Sequence, residues 1–146
     1  MKKSTQLLIY SISILVIAIV DLITLVLNFR GGIFDSVTHE DETVEIVAKV
    51  VLGVIVGISA LSILVGLYLG GKGIAESKHA SGGKLHIKLA KLIAILNVIL
   101  LVIVGLSLFN STNLRSDLET AGLCLVDAIL MFSYVEAAKA VRNGEK

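Results

Sequence analysis

The sequence predicts an all-α integral membrane protein, in which four antiparallel transmembrane helices form an up-down bundle with both termini in the cytoplasm. Of its 146 residues, 55% are hydrophobic and 17% are charged, and the mean hydropathy is +0.92. Soluble domains average roughly 45–50% apolar and about 25% charged residues. This composition excludes a soluble or disordered chain, and the net charge of +1 gives no attraction to nucleic acid.

The first predicted helix covers residues 7–29, whose only charge is Asp21. A helix needs about 20 apolar residues to cross a hydrocarbon core of about 30 Å. Lys2 and Lys3 precede this run, as lysines precede the core of a signal peptide. That core is only about 7–15 residues long and ends at a small-x-small site. We therefore expect a retained span.

The second and third predicted helices cover residues 46–70 and 87–109. They overlap the uncharged runs 50–71 and 92–114. At the start of the second helix, Glu45 and Lys49 have the i,i+4 spacing of an ion pair. Glycine clusters bound the connection between the two helices, residues 70–83, and predict a flexible loop.

The fourth predicted helix, residues 118–140, is less apolar because it carries Asp127 and Glu136. It spans the bilayer if its last turn lies among the headgroups. Strands are the alternative for such Val- and Ile-rich runs, but a spanning barrel needs at least eight of them, more than this chain supplies. No linker separates a second domain, so residues 1–146 are expected to form one transmembrane domain.

The distribution of basic residues predicts the orientation of the bundle. With the N-terminus inside, ten of the 13 lysines and arginines lie on the cytoplasmic side. Most of the loop acids fall on the other side. An excess of basic residues in cytoplasmic loops is the usual determinant of topology. We expect a multi-pass protein of a plasma membrane, bacterial in origin, with its termini inside. The ten residues are Lys2, Lys3, Lys72, Lys78, Lys84, Lys88, Lys91, Lys139, Arg142 and Lys146.

Each predicted helix places at least one polar side chain near the middle of the bilayer. A transmembrane acid costs about 2.5–3.5 kcal/mol on insertion scales, and no basic residue lies at the same depth as the two acids. One interpretation is a proton or cation site. The other is hydrogen bonding between helices, or pairing of the acids with a basic residue of another subunit. The residues are Asp21, Ser59, Ser62, Asn97 and Asp127.

Two further patterns concern contacts outside this cluster. Gly53 and Gly57 form a GxxxG spacing, which lets two helices approach closely, either in an oligomer or within the chain. The lysines Lys84, Lys88 and Lys91 lie on one side of the start of the third helix. They are placed to contact anionic lipid headgroups, although determination of topology explains them equally well.

The sequence contains no catalytic constellation. Its three histidines lack the spacing of a metal site, and its single cysteine excludes an internal disulfide. We therefore expect no enzyme, no metal, no cofactor and no nucleic-acid partner. The leading hypothesis is a non-enzymatic accessory, structural or partner-binding subunit that associates through its helix faces. Its partners would be the lipid bilayer and a homo-oligomer or larger membrane complex. The alternative is a small proton- or cation-coupled transporter or channel that uses Asp21 and Asp127.

Overall fold

The computed structural model describes residues 2–32, 42–79, 84–107 and 114–144, and the regular structure within them is α-helical. Each of the four helices is long and apolar enough to cross a membrane. The predicted all-α class and the predicted number of helices are confirmed. The helices are α1 (Lys3–Arg30), α2 (Glu42–Lys78), α3 (Leu85–Ser107) and α4 (Leu114–Arg142).

Charged side chains at the ends of α2 suit the helix dipole. Glu42 and Glu45 lie in its first turn and Lys78 in its last, where each charge is stabilised by the partial charge of the helix end. The predicted ion pair is present, because Lys49 Nζ lies 2.5 Å from Glu45 Oε1. These interactions extend α2 one turn before the predicted start.

The predicted end of the second helix at residue 70 is wrong, because α2 continues to Lys78. Gly70 and Gly73 are buried against α1 and α4 rather than placed in a flexible loop. A Cβ on Gly70 would lie 2.9 Å from Leu15 Cβ, and one on Gly73 would lie 2.6 Å from Tyr134 Cε2. Both glycines therefore permit close packing of helices. Residues 80–83 of the predicted loop lie outside the described residues. Both ends of α1 and α4 and the start of α3 agree with prediction to within about one turn, and residues 108–109 of the predicted third helix lie outside the described residues.

Buried residues are confined to one half of the bundle. This half, here called the packed half, gathers the beginnings of α1 and α3 and the ends of α2 and α4. Leu7, Leu69, Tyr134 and Ala138 are fully buried in it. In the remainder of the helices, the open half, no residue whose side chain is described is buried. The packed half comprises residues 3–18, 63–78, 85–94 and 128–142.

The chain forms two helical hairpins. Its first hairpin is antiparallel, since Ala18, Leu15 and Ser11 of α1 lie in turn against Gly66, Gly70 and Gly73 of α2. The second hairpin pairs α3 with α4. Contacts between the hairpins are mainly those of α1 with α4, while α2 meets α3 and α4 only sparsely.

Candidate functional site

A cavity of about 570 Å³ lies between the four helices where the packed half meets the open half. Every helix contributes side chains to its wall. Four of the five polar residues predicted to cluster line it, namely Asp21 from α1, Ser62 from α2, Asn97 from α3 and Asp127 from α4. The other lining residues are apolar, among them Ile17, Leu61 and Leu96.

A second cavity, of about 450 Å³, lies between α1 and α2 and adjoins the first. It contains the fifth predicted residue, Ser59, and shares Asp21 and Ser62 with the larger cavity. Thr24 and Asn28 also line it. These two residues lie further toward the C-terminal end of α1 than Asp21. The smaller cavity therefore makes a polar path along the open half that ends at Asp21.

The hydroxyl groups in this path are oriented by their own helices. Thr24 Oγ1 donates a hydrogen bond to the carbonyl oxygen of Val20 at 2.9 Å, and Ser59 Oγ donates to that of Ile55 at 2.9 Å. The hydroxyl protons are thus used within the helix, and the lone pairs of the oxygens remain as acceptors. Such oxygens favour a cation or a hydrogen-bond donor as their neighbour.

Asp21 and Asp127 are the charged residues among those that line the two cavities. Asp127 lies within electrostatic range of Asp21, so the two carboxylates repel each other when both are charged. Among the described residues that line either cavity there is no lysine, arginine or histidine. The arrangement therefore suits a positively charged occupant.

Close packing of α1 on α2 forms the base of the cavity. A Cβ on Gly66 would lie 3.0 Å from the Cβ of Ala18, and both residues are at the level where burial begins. Small side chains at this level hold the helices together, whereas Asp21 lies one turn further on, where they no longer bury each other. Asp21 lines both cavities at this level.

A buried ionic cluster lies in the packed half and was not predicted. Glu76 at the end of α2 and His86 at the start of α3 are each 2% exposed. His86 Nε2 is in contact with Glu76 Oε2, and Arg142 Nε of α4 lies 3.4 Å from Glu76 Oε1. The carboxylate of Glu76 is therefore placed between an imidazole and a guanidinium, and it connects three helices. We refer to Glu76, His86 and Arg142 as the Glu76 cluster.

Tyr134 supports this cluster from within the core. Its ring packs edge-on against that of His86, with centroids 6.2 Å apart and an interplanar angle of 84°. Its hydroxyl donates a hydrogen bond to the carbonyl oxygen of Leu69 at 3.1 Å. One tyrosine thus orients the imidazole of α3 and ties α4 to α2.

The sequence contained a partial signal for this cluster. The small residues Gly66 and Gly70 mark one face of α2, and Gly73 and Ser77 continue that face beyond the predicted helix end. Glu76 lies beside this row. A helix that ends at residue 70 leaves Glu76 in the predicted loop rather than in the core.

The remaining predicted residues lie on the surface of the chain. A Cβ on Gly53 or Gly57 would meet nothing within 4 Å, so their face of α2 contacts no described part of the chain. The three lysines predicted to contact lipid headgroups, Lys84, Lys88 and Lys91, are all exposed at the start of α3.

Comparison with known protein families, curated proteins and solved structures finds no match to this chain.

Proposed function

We propose that this chain is a multi-pass protein of a bacterial plasma membrane, with a single transmembrane domain and both termini in the cytoplasm. In this orientation the packed half faces the cytoplasm. The excess of lysine and arginine at that end supports the orientation, as does the exposure of Lys84, Lys88 and Lys91, which suits contact with anionic lipids.

Labelling of single cysteines tests this orientation. The variants His79→Cys and Glu119→Cys would be made on a Cys124→Ala background, because His79 and Glu119 are exposed at opposite ends of the bundle. A membrane-impermeant maleimide should label residue 119 on intact cells and residue 79 only after permeabilisation. The reverse pattern would contradict the proposed orientation.

The leading function is that of a non-enzymatic subunit that binds another transmembrane helix, from a second copy or from a different protein. The observation that supports this function is the exposure of α2 in the open half. No described residue of α2 before Ile63 is buried, and Gly53 and Gly57 present a surface on which a second helix could approach closely.

Bulky substitutions on this surface test the function. Gly53→Leu and Gly57→Leu should each reduce association, measured by photobleaching steps or energy transfer between labelled chains in lipid nanodiscs. Gly105→Leu on α3 is the matched control, since a Cβ there also meets nothing within 4 Å. A parent protein that is monomeric and purifies without partners would contradict the function, and so would equal effects of all three substitutions.

A second candidate function is cation-coupled transport or conduction. The observation that favours it is the convergence of Asp21, Asn97 and Asp127 on one cavity between the four helices. Proton or sodium flux into proteoliposomes should be lost in Asp21→Asn and in Asp127→Asn. Glu136→Gln, which removes an exposed carboxylate from the same helix as Asp127, should leave the flux unchanged. Flux that survives both aspartate substitutions, or no flux in the parent protein, would exclude this function.

A further inference from the structure

The larger cavity combines a localised charge with an extended apolar wall. Its polar lining consists of Asp21, Ser62, Asn97 and Asp127, and the rest is formed mainly by Leu, Ile, Val and Met side chains. A volume of about 570 Å³ falls in the range of roughly 300–1,000 Å³ that is typical of sites for small molecules. Such sites bind the body of a ligand by apolar contact and orient it through a few polar groups.

The negative charge of the two aspartates favours a positively charged ligand. A carboxylate removed from bulk water requires a compensating partner, and the described lining of this cavity contains no basic side chain. A cationic ligand supplies that partner to both acids and removes the repulsion between Asp127 and Asp21. A neutral or anionic ligand does neither.

The apolar wall selects an organic cation over an inorganic one. Calcium takes six to eight oxygen ligands, and magnesium keeps most of its water. Among the described residues no group of three or more His, Cys, Asp or Glu side chains could hold a metal ion. An organic cation, in contrast, buries its own apolar surface against the wall at about 25 cal/mol per Å².

The cavity is half open, with Asp21 and Ser62 exposed, and the extent of its apolar wall favours a free molecule over a side chain of a partner protein. Residues of all four helices line it, including Ala18 and Gly66 at its base. A lysine or arginine from a neighbouring helix would enter from the surface of the bundle, which leaves most of the apolar wall uncovered. A compact amphiphilic molecule covers the wall and reaches the acids together.

We propose that this cavity binds an amphiphilic organic monocation, such as a hydrophobic amine or an onium ion, with its charge held by Asp21 and Asp127. This inference rests on the second candidate function, that of a cation-handling protein, and names the class of cation. The ligand enters by way of the membrane or the polar path along α1, and no covalent step is involved.

The test is equilibrium binding of tetraphenylphosphonium to the purified 146-residue chain in an uncharged detergent. Tetraphenylborate is the matched control ligand, because it has nearly the same size and shape and the opposite charge. We expect saturable binding of the phosphonium and none of the borate. Asp21→Asn and Asp127→Asn should each weaken phosphonium binding by about tenfold or more, as expected when one partner of a desolvated charge pair is removed.

Two further variants keep the test independent of folding defects. Glu136→Gln removes a carboxylate outside the cavity and should bind as the parent does. Ser62→Leu keeps both aspartates, fills part of the cavity from an exposed position, and should weaken binding. The helix content of each variant, measured by circular dichroism, should match that of the parent.

Three results would overturn the proposal. They are equal binding of the two tetraphenyl ions, phosphonium binding that is insensitive to both aspartate substitutions, and absence of saturable binding. In the last case, cross-linking of Ser62→Cys to another protein would show that a partner protein, rather than a free cation, lies at the cavity. The flux assay tests the second candidate function separately from the binding assay. Proton or sodium flux without phosphonium binding overturns only the ligand class, and phosphonium binding without flux excludes only transport.

Discussion

Burial of the Glu76 side chain places a strict requirement on the residues around it. The side chain is 1% exposed, and a carboxylate so far from water is tolerated only with charged or hydrogen-bonding partners. His86 and Arg142 meet this requirement from two other helices. A buried ion pair contributes little net stability compared with apolar packing, but loss of one partner is strongly destabilising.

We therefore predict that Glu76→Gln lowers the free energy of unfolding by about 3 kcal/mol, since it leaves His86 and Arg142 without their carboxylate. Thermal unfolding in detergent, followed by circular dichroism, measures the change. Glu136→Gln, at an exposed position of α4, should stay within about 0.5 kcal/mol of the parent. Equal melting temperatures for the two variants would show that the Glu76 cluster has no structural role.

The hydroxyl group of Tyr134 has a smaller and separable effect. Tyr134→Phe keeps the ring against His86 and removes the hydrogen bond to the carbonyl oxygen of Leu69. The expected loss of stability is about 1 kcal/mol, measured in the same thermal assay. Tyr68→Phe, where the tyrosine is 36% exposed, is the control and should have little effect. A larger loss in the control than in Tyr134→Phe would argue against the assigned hydrogen bond.

At the scale of the helices, the glycines at the end of α2 have opposite roles despite their proximity in sequence. Gly73 is buried between α1 and α4, whereas a Cβ on Gly71 would meet nothing within 4 Å. Gly71 therefore lowers the stability of the helix without any gain in packing. At Gly73, in contrast, the close approach of α1 and α4 requires a residue without a side chain.

Alanine substitutions should separate these roles. Gly71→Ala is expected to stabilise the protein by about 0.5–1 kcal/mol, because alanine loses less conformational freedom in a helix. Gly73→Ala should destabilise it by about 1–3 kcal/mol through overpacking against Tyr134. Thermal unfolding of both variants provides the measurement. If residues 70–78 were a flexible loop, the two substitutions would have similar, small effects.

The four helices were predictable because hydropathy depends only on local sequence. The predicted depth in the bilayer likewise grouped five polar residues, and the structure places all five around two adjoining cavities, namely Asp21, Ser59, Ser62, Asn97 and Asp127.

The continuation of α2 was not predictable in the same way. Gly70 and Gly73 are poor helix formers in isolation, and only their contact with α1 and α4 explains their presence in a helix. The Glu76 cluster depends in turn on that extension and on the approach of α3 and α4. His86 and Arg142 lie 10 and 66 positions after Glu76 in the sequence and belong to two other helices, so local patterns do not reveal the cluster.

At the scale of the whole molecule, stabilising contacts are concentrated in the packed half. Leu69 is fully buried there, whereas Leu64, five residues earlier on α2, is 63% exposed. Leu69 therefore contributes to the core of the fold, whereas Leu64 lies on the outer surface of the bundle.

Leu69→Ala should lower the free energy of unfolding by about 2–5 kcal/mol, because it leaves a cavity in the core. Leu64→Ala should change it by no more than about 0.5 kcal/mol. Thermal unfolding in one detergent compares the two directly. Similar losses for both variants would mean that the open half is packed as tightly as the other.

The division into two hairpins has a consequence for the order in which the protein folds. Contacts of α1 with α2 and of α3 with α4 join neighbouring segments, so each hairpin closes at a low entropic cost. The Glu76 cluster joins the hairpins and forms only once they meet. Glu76→Gln should therefore accelerate unfolding while it leaves the rate of folding nearly unchanged, a result that stopped-flow measurements would test. We therefore expect the Glu76 cluster to determine how long the native state persists rather than how quickly it is reached.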